Sequence, residues 1–295
     1  MWWVLGVLGA FLLGWSLFSA HHVLYPQRRV FPLQDPRPRF IQMALAGSHG
    51  ALSDLWVFEA LAPRGRILCY HGYSANRNQV LGIAHQLRER GYEVLVPELS
   101  GHGNRPGRYT FGAKEVDEAG VILQWAASRD GAHALPLAVV GLSMGAAIGC
   151  QVAARYPAVR AVVADSLYSR FFPVLRRAIR TRYHLSSVPW AWLTWWSVEL
   201  ALGRRLTPLD PAALAPHLSL PLLAIYGGAD QRVIPVFWHE VYRRWAGPKE
   251  QWIEPNVAHV GMFMRDPRRY GDRIAAFLDH VLGLGLEQKP PTPHE

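Results

Sequence analysis

Residues 137–156 read LAVVGLSMGAAIGCQVAARY. The first four form a continuous apolar run, as in a strand covered on both faces of a parallel sheet. The stretch from Gly145 onward carries small and apolar residues at helical spacing. Between them lies Gly141-Leu142-Ser143-Met144-Gly145, the strand–Gly-x-Ser-x-Gly–helix arrangement of a nucleophile elbow. The glycines have a steric reason. Side chains at Gly141 and Gly145 would collide as the helix folds back on its strand, and Ala146 and Ala147 extend the demand for small residues. The bare pattern arises by chance in roughly one chain of this length in ten. Its weight therefore comes from the strand before it and the helix after it.

Working outward, β-like runs at 40–45, 55–60, 66–70, 93–97, 137–140, 159–164, 222–226 and 251–254 alternate with helical patterns at 76–90, 111–128, 145–156, 236–245 and 267–282. Such alternation, opened by an antiparallel-looking pair, predicts an α/β protein with a mostly parallel eight-stranded sheet. Between Asp165 and Leu220 lie roughly fifty residues without a strand signal, read as a helical cap over 166–217. That cap holds Arg170, Arg176, Arg177, Arg180, Arg182, Arg204 and Arg205 together with Trp190, Trp192, Trp195 and Trp196. Its plain reading is a lid whose tryptophans pack inward and whose arginines are solvated. The sharper reading is a lipid-contacting surface.

A serine hydroxyl is a weak nucleophile that needs a base, itself oriented by a carboxylate. After an elbow serine, the acid and then the histidine are expected downstream. The run 222–226 leads into Gly227-Gly228-Ala229-Asp230, and the run 251–254 into Pro255-Asn256-Val257-Ala258-His259. Both loops follow strands at the sheet's C-terminal edge, where α/β sites form. Ser143, His259 and Asp230 are thus read as nucleophile, base and orienting acid, with Asp165 the reserve acid. Asp230 as a simple turn cap is the plain alternative. An oxyanion hole needs two backbone N–H groups. The N–H of Met144 is one expected donor, and that of Tyr73 the other, on the loop Tyr70-His71-Gly72-Tyr73-Ser74, where Gly72 permits the turn.

His71-Gly72, Gly101-His102-Gly103, Gly141-x-Ser143-x-Gly145, the Gly-Gly-Ala-Asp230 loop and the Ala-His259 loop resemble the α/β-hydrolase superfamily over residues 40–283. The nearest branch is that of monoglyceride lipases and serine-aminopeptidase-like hydrolases, including membrane-anchored members. The resemblance implies the α/β-hydrolase fold and serine hydrolysis of a small acyl or lipid-like ester, with His71, Gly72, Gly141 and Gly145 supporting the site. The chain departs from the branch at Glu98-Leu99-Ser100-Gly101-His102-Gly103-Asn104, where Asp-x-Arg-Gly-x-Gly-x-Ser is usual. That departure weakens any transfer of substrate. Thioester or peptide cleavage on the same fold is the alternative. A peptidase needs an acid to hold the substrate amine, and Glu199 stands nearly alone in the cap. A non-catalytic binding protein would typically have lost part of the triad.

The chain has 295 residues, with 31 Lys+Arg against 22 Asp+Glu for a net charge of +9, yet residues 1–27 contain none of these four types. Residues 2–20 would span about 28 Å as a helix, close to a bilayer core. An uncleaved anchor (1–25) is favoured over a signal peptide, because no Lys or Arg precedes the apolar run and Phe18 disfavours cleavage after Ala20. Arg28, Arg29, Arg37 and Arg39 then favour the catalytic domain on the cytoplasmic side. Pro26, Pro32, Pro36 and Pro38 indicate a stiff linker (26–39), and residues 284–295 a disordered tail. Two Cys exclude a disulfide scaffold. The thirteen His lack a metal-binding spacing, and the basic residues follow no nucleic-acid motif. No cofactor is expected, and nothing in the sequence bears on oligomeric state.

Overall fold

The computed structural model describes residues 2–29, 31, 40–46, 52–130 and 134–284. Most of the expected linker (30 and 32–39) and the tail (285–295) lie outside the described residues. Eight strands, β1 (Ile41–Ala46), β2 (Leu52–Phe58), β3 (Gly65–Tyr70), β4 (Tyr92–Glu98), β5 (Leu137–Leu142), β6 (Val159–Asp165), β7 (Leu222–Gly227) and β8 (Lys249–Glu254), form one sheet. Their order is β1-β2-β4-β3-β5-β6-β7-β8. Strand β2 runs antiparallel to β1 and β4, and the other pairings are parallel.

The helices in chain order are α1 (Trp2–Leu24), α2 (Leu81–Glu89), α3 (Ala113–Arg129), α4 (Met144–Arg155), α5 (Phe171–Tyr183), α6 (Trp190–Leu202), α7 (Pro211–Leu214), α8 (Pro235–Arg244), α9 (Met262–Arg265) and α10 (Pro267–Val281). Period-2 alternation divides the strand side chains between two cores. Leu68, Tyr70, Val139, Val162 and Ala224 face α3, α4 and α8, whereas Ile67, Cys69, Val140, Val163 and Ile225 face α2 and α10. Both faces being covered explains why β3, β4, β5 and β7 are buried along their whole length.

Every strand and helix expected from the pattern appears, with ends shifted by up to three residues except at 76–90, where a 3₁₀ turn (Arg77–Val80) stands before α2 and moves its start to Leu81. The cap is the pair α5 and α6 followed by the short turns up to His217. The sequence reading makes residues 1–25 a membrane anchor; in the structure the C-terminal half of α1 packs on α6. Ser16, Ser19, Ala20 and Leu24 are buried, Thr194 Oγ1 lies 2.8 Å from Ser19 Oγ, and Trp15 Nε1 donates to the Trp190 carbonyl. Small and polar residues spaced three to four apart are what a helix uses to lie against another.

Candidate active site

The end of β5 turns into α4 at Ser143, whose backbone sits at φ 53°, ψ −110°. That conformation is strained for a residue with a Cβ, and the surrounding contacts hold it. A Cβ on Gly141 would lie 2.5 Å from the Gly145 carbonyl oxygen, and one on Gly145 would lie 2.5 Å from the carbonyl oxygens of Tyr70 and His71. The elbow is therefore packed backbone to backbone against the end of β3. The same contact brings the loop after β3 beside the serine.

Two more loops converge from the other side. Gly228 N donates to the Glu254 carbonyl at 2.7 Å and Ala229 N to that of Val257 at 3.0 Å. A Cβ on Gly227 would strike the Val257 carbonyl and one on Gly228 that of Pro255. Only glycines let the loop after β7 lie flat on the loop after β8. The outcome is a chain of contacts: Asp230 Oδ2 lies 2.6 Å from His259 Nδ1, and His259 Nε2 lies 3.0 Å from Ser143 Oγ. Asp230 Oδ1 is held by the N–H groups of Arg232 and Val233 at 2.7 and 2.9 Å. That carboxylate is both buried and fully hydrogen-bonded, so its orientation is fixed before anything binds.

The residues expected to supply the oxyanion donors lie beside this point. The Gly72 N–H is taken by Gln79 Oε1 at 2.7 Å, whereas the Tyr73 N–H carries no hydrogen bond to the protein among the described residues. Met144 is the first residue of α4, where a helix leaves its N–H groups unpaired. Both residues line the same cavity as Ser143 and His259. His71 is wholly buried beneath them. Its Nδ1 lies 3.0 Å from the Gly72 carbonyl, and its Nε2 lies 3.2 Å from Leu99 N and 3.1 Å from Glu98 Oε1.

Asp165, the reserve acid, has another task. Its carboxylate accepts from Ser166 Oγ at 2.9 Å and from the Tyr270 hydroxyl at 3.0 Å, while Ser166 Oγ accepts from Val260 N at 3.1 Å. This relay ties the His259 loop to the end of β6. Burial pushes the Asp165 carboxyl up to about 6. The sequence offered Asp165-Ser166 only as an acid after a strand, and the partnership with Tyr270, more than a hundred residues away, left no local signal.

In the departing loop 98–104, Ser100 stands where an arginine is expected from the resemblance, and the guanidinium of Arg105 is buried close by. It makes bonds of 2.6 and 2.8 Å to the buried Glu118 and one of 2.7 Å to the Glu98 carbonyl. Beside it, burial and the neighbouring His71 press His102 down to about 3, so it packs as a neutral ring against Tyr73 and Tyr109.

Above these loops lies a cavity of about 470 Å³. Its apolar part is made by Tyr109, Phe111, Tyr168, Phe171, Ile179 and Trp195, and its far wall by Ser19, His22 and Val23 of α1. The Tyr73 hydroxyl donates to the carbonyls of His22 and Val23, both at 3.0 Å, and Tyr109 N donates to that of Leu24. The end of α1 is thus fastened to the loop that carries Tyr73. Sequence reasoning missed this wall, because an apolar N-terminal run gives no sign of what its last turns touch. Trp195 is buried in the cavity wall, but Trp192 and Trp196 are exposed, so the two readings of the cap divide between residues. Among the described residues no group of His, Cys, Asp and Glu is arranged to hold a metal, and Cys69 and Cys150 are buried free thiols.

The sequence model of the serine aminopeptidase (S33) family matches residues 62–169. Two curated relatives are the uncharacterized protein YqkD of Bacillus subtilis, 25% identical with 74% of this chain and 72% of that protein covered, and the uncharacterized protein Rv2307c of Mycobacterium tuberculosis, 25% identical with 74% and 71% covered. Among solved structures, the Pyrococcus furiosus esterase Pf2001 superposes with a TM-score of 0.73 at 21% identity, covering 88% of this chain and 99% of that one. The esterase domain of a Rhodothermus marinus protein gives 0.59 at 16% identity, covering 83% and 100%. The chain therefore has the fold of the α/β-hydrolase superfamily, and the matches support a hydrolase.

Proposed function

We propose that this α/β-hydrolase-fold protein is a serine esterase that works at a membrane surface and hydrolyses a lipid-like acyl ester through an acyl-enzyme. The observation that carries the reading is the continuous contact Asp230–His259–Ser143, with two unpaired backbone N–H groups beside it. Ser143 Oγ attacks the acyl carbon as His259 Nε2 takes its proton, and Asp230 stabilises the imidazolium that forms. The Tyr73 and Met144 N–H groups stabilise the tetrahedral oxyanion. His259 then protonates the departing alcohol, and water repeats the sequence to release the acid. A largely apolar cavity suits an acyl chain. Its lining contains neither Asp nor Glu, so no carboxylate waits for a substrate amine, and ester cleavage is preferred to peptide cleavage.

Helix α1 is long and apolar enough to cross a membrane. Its residues 2–10 are exposed, and the first ring contact with the cap is Phe11 on Trp190. Nine residues reach only about 14 Å, half of the roughly 30 Å hydrocarbon core. Full insertion of α1 therefore carries the outer face of α6, with its exposed Trp192, Trp196 and Leu200, into the interface as well. The cavity mouth at the end of α1 then opens beside the lipid. Acyl esters of graded chain length test the proposal: Ser143-dependent hydrolysis with a medium-chain optimum supports it, and equal rates from wild type and Ser143→Ala sink it.

A further inference from the structure

Four arginines line the cavity: Arg29 just beyond α1, Arg177 and Arg182 on α5, and Arg232 on the loop that carries Asp230. No carboxylate lies within ion-pair distance of any of the four among the described residues, and none shares the lining with them. Other arginines of the same cap are paired, Arg170 with Glu240 at 2.5 Å and Arg205 with Glu199 at 2.9 Å. Arg177 is half-buried and the other three are exposed, so together they raise a positive potential at the cavity rim that attracts an anion.

The positions of the arginines relative to the apolar surface narrow the choice. Along α5 the lining residues Phe171, Val174, Leu175, Ala178, Ile179 and Arg182 recur every three or four positions, so they form one stripe. The stripe is apolar up to Ile179 and ends on Arg182. Its apolar end packs among Tyr168 and Phe111. Its cationic end lies near Tyr73, where Arg182 opposes the upward push that burial gives the phenol. Arg177 Nε donates to the Gln231 carbonyl at 2.7 Å, next to Arg232. The positive rim thus borders both the loop of the expected oxyanion donor and the loop of the acid, close to where an ester would react.

We infer that the substrate is an anionic amphiphile, a single-chain acyl ester whose alcohol part carries a phosphate-like anion, with the chain along the α5 stripe and the anion held by the arginine rim. The inference rests on the esterase reading and adds the class of leaving group. In the reaction water replaces the alcohol on the acyl carbon, so the products are a free carboxylic acid and an alcohol that keeps its phosphate. Guanidinium groups suit this task, because they stay charged and bind phosphate oxygens in pairs.

The test uses the full chain in neutral detergent micelles. It compares kcat/KM for 1-dodecanoylglycerol 3-phosphate with that for 1-dodecanoylglycerol. The phosphate ester is expected to be preferred by about tenfold or more, and Arg182→Gln or Arg177→Gln to cut that ratio by about three- to tenfold. Arg182→Lys keeps most of the preference, and Arg180→Gln, an exposed α5 arginine outside the lining, leaves the ratio as in wild type. A ratio near one, or a preference that survives Arg177→Gln/Arg182→Gln, overturns the inference while the esterase reading stands. So does an equal gain for the neutral ester when an inert anionic detergent is added, because the effect then lies at the micelle surface. If neither ester is hydrolysed in a Ser143-dependent way, the esterase reading itself falls, and the inference with it.

Discussion

At the floor of the cavity each functional group hangs from a strand end and is fixed by contact between backbones, whereas the roof is made of helices that meet through side chains. The floor tolerates almost no change of shape. Gly141 and Gly145 sit against carbonyl oxygens, and the Asp230 and His259 loops touch through Gly227 and Gly228. The roof is looser in principle: α1 meets α6 through Trp15, Trp190, Thr194 and Ser19 and meets α5 through Trp15 on Tyr183, and the arginines that line the cavity have no carboxylate beside them in its lining. On this account the floor sets the reaction and the roof sets what reacts. Substitutions that separate these effects break or sharpen the contrast.

The largest effect belongs to the floor. Ser143→Ala is expected to lower kcat by about 10⁶-fold and Asp230→Asn by about 10⁴-fold, with near-unchanged KM, measured on a soluble short-chain ester. Gly145→Ala places a methyl group 2.5 Å from two carbonyl oxygens. Its expected result is loss of soluble protein, or folded protein without activity, read by circular dichroism beside the ester assay.

Next comes the wall. Deleting residues 2–10, which are exposed, is expected to leave soluble-ester activity within about twofold but to abolish sedimentation with liposomes. Deleting 2–24 removes the carbonyls that hold Tyr73 and Tyr109 and is expected to cost about tenfold or more in kcat/KM even on the soluble ester. Equal activity from the two truncations would show that α1 is only a tether.

The smallest effect tests the joint between roof and body. Asp210 accepts from the N–H of Phe171, the first residue of α5, at 2.8 Å. Burial pushes its carboxyl up to about 7. A carboxyl whose folded pKa is raised favours the folded state most below its unfolded pKa of about 3.9, and that contribution is lost as pH rises through about 7. Asp210→Asn keeps the acceptor and removes the titration. The variant's gain in Tm over wild type is therefore expected to be a few degrees larger at pH 8 than at pH 5. An equal shift at both pH values would contradict this.

What could be read from the sequence follows the same division. Strands and helices were legible because covered strands give apolar runs and helices give a 3.6-residue period, and the floor because its glycines, Ser143, Asp230 and His259 each stand directly after a strand. Of the roof, the helical cap was legible but its contacts were not. The tie from the Tyr73 hydroxyl to His22 and Val23 joins residues about fifty apart without any local pattern. Nor does the arginine-rich α5 reveal in one dimension that Arg177 and Arg182 line the cavity while Arg176 and Arg180 do not; the stripe from Phe171 to Ile179 only becomes a wall once α1 and the β-edge loops face it. The pairing of Arg105 with the buried Glu118, thirteen residues on, likewise leaves no local pattern.

The central claim is that Ser143 is a nucleophile activated by His259 and Asp230. Reaction of the folded protein with a fluorophosphonate, followed by peptide mass spectrometry, tests it most directly. The account predicts a single adduct on Ser143, absent from Ser143→Ala and strongly slowed in His259→Ala. An adduct on another residue, or equal labelling of wild type and Ser143→Ala, would contradict it.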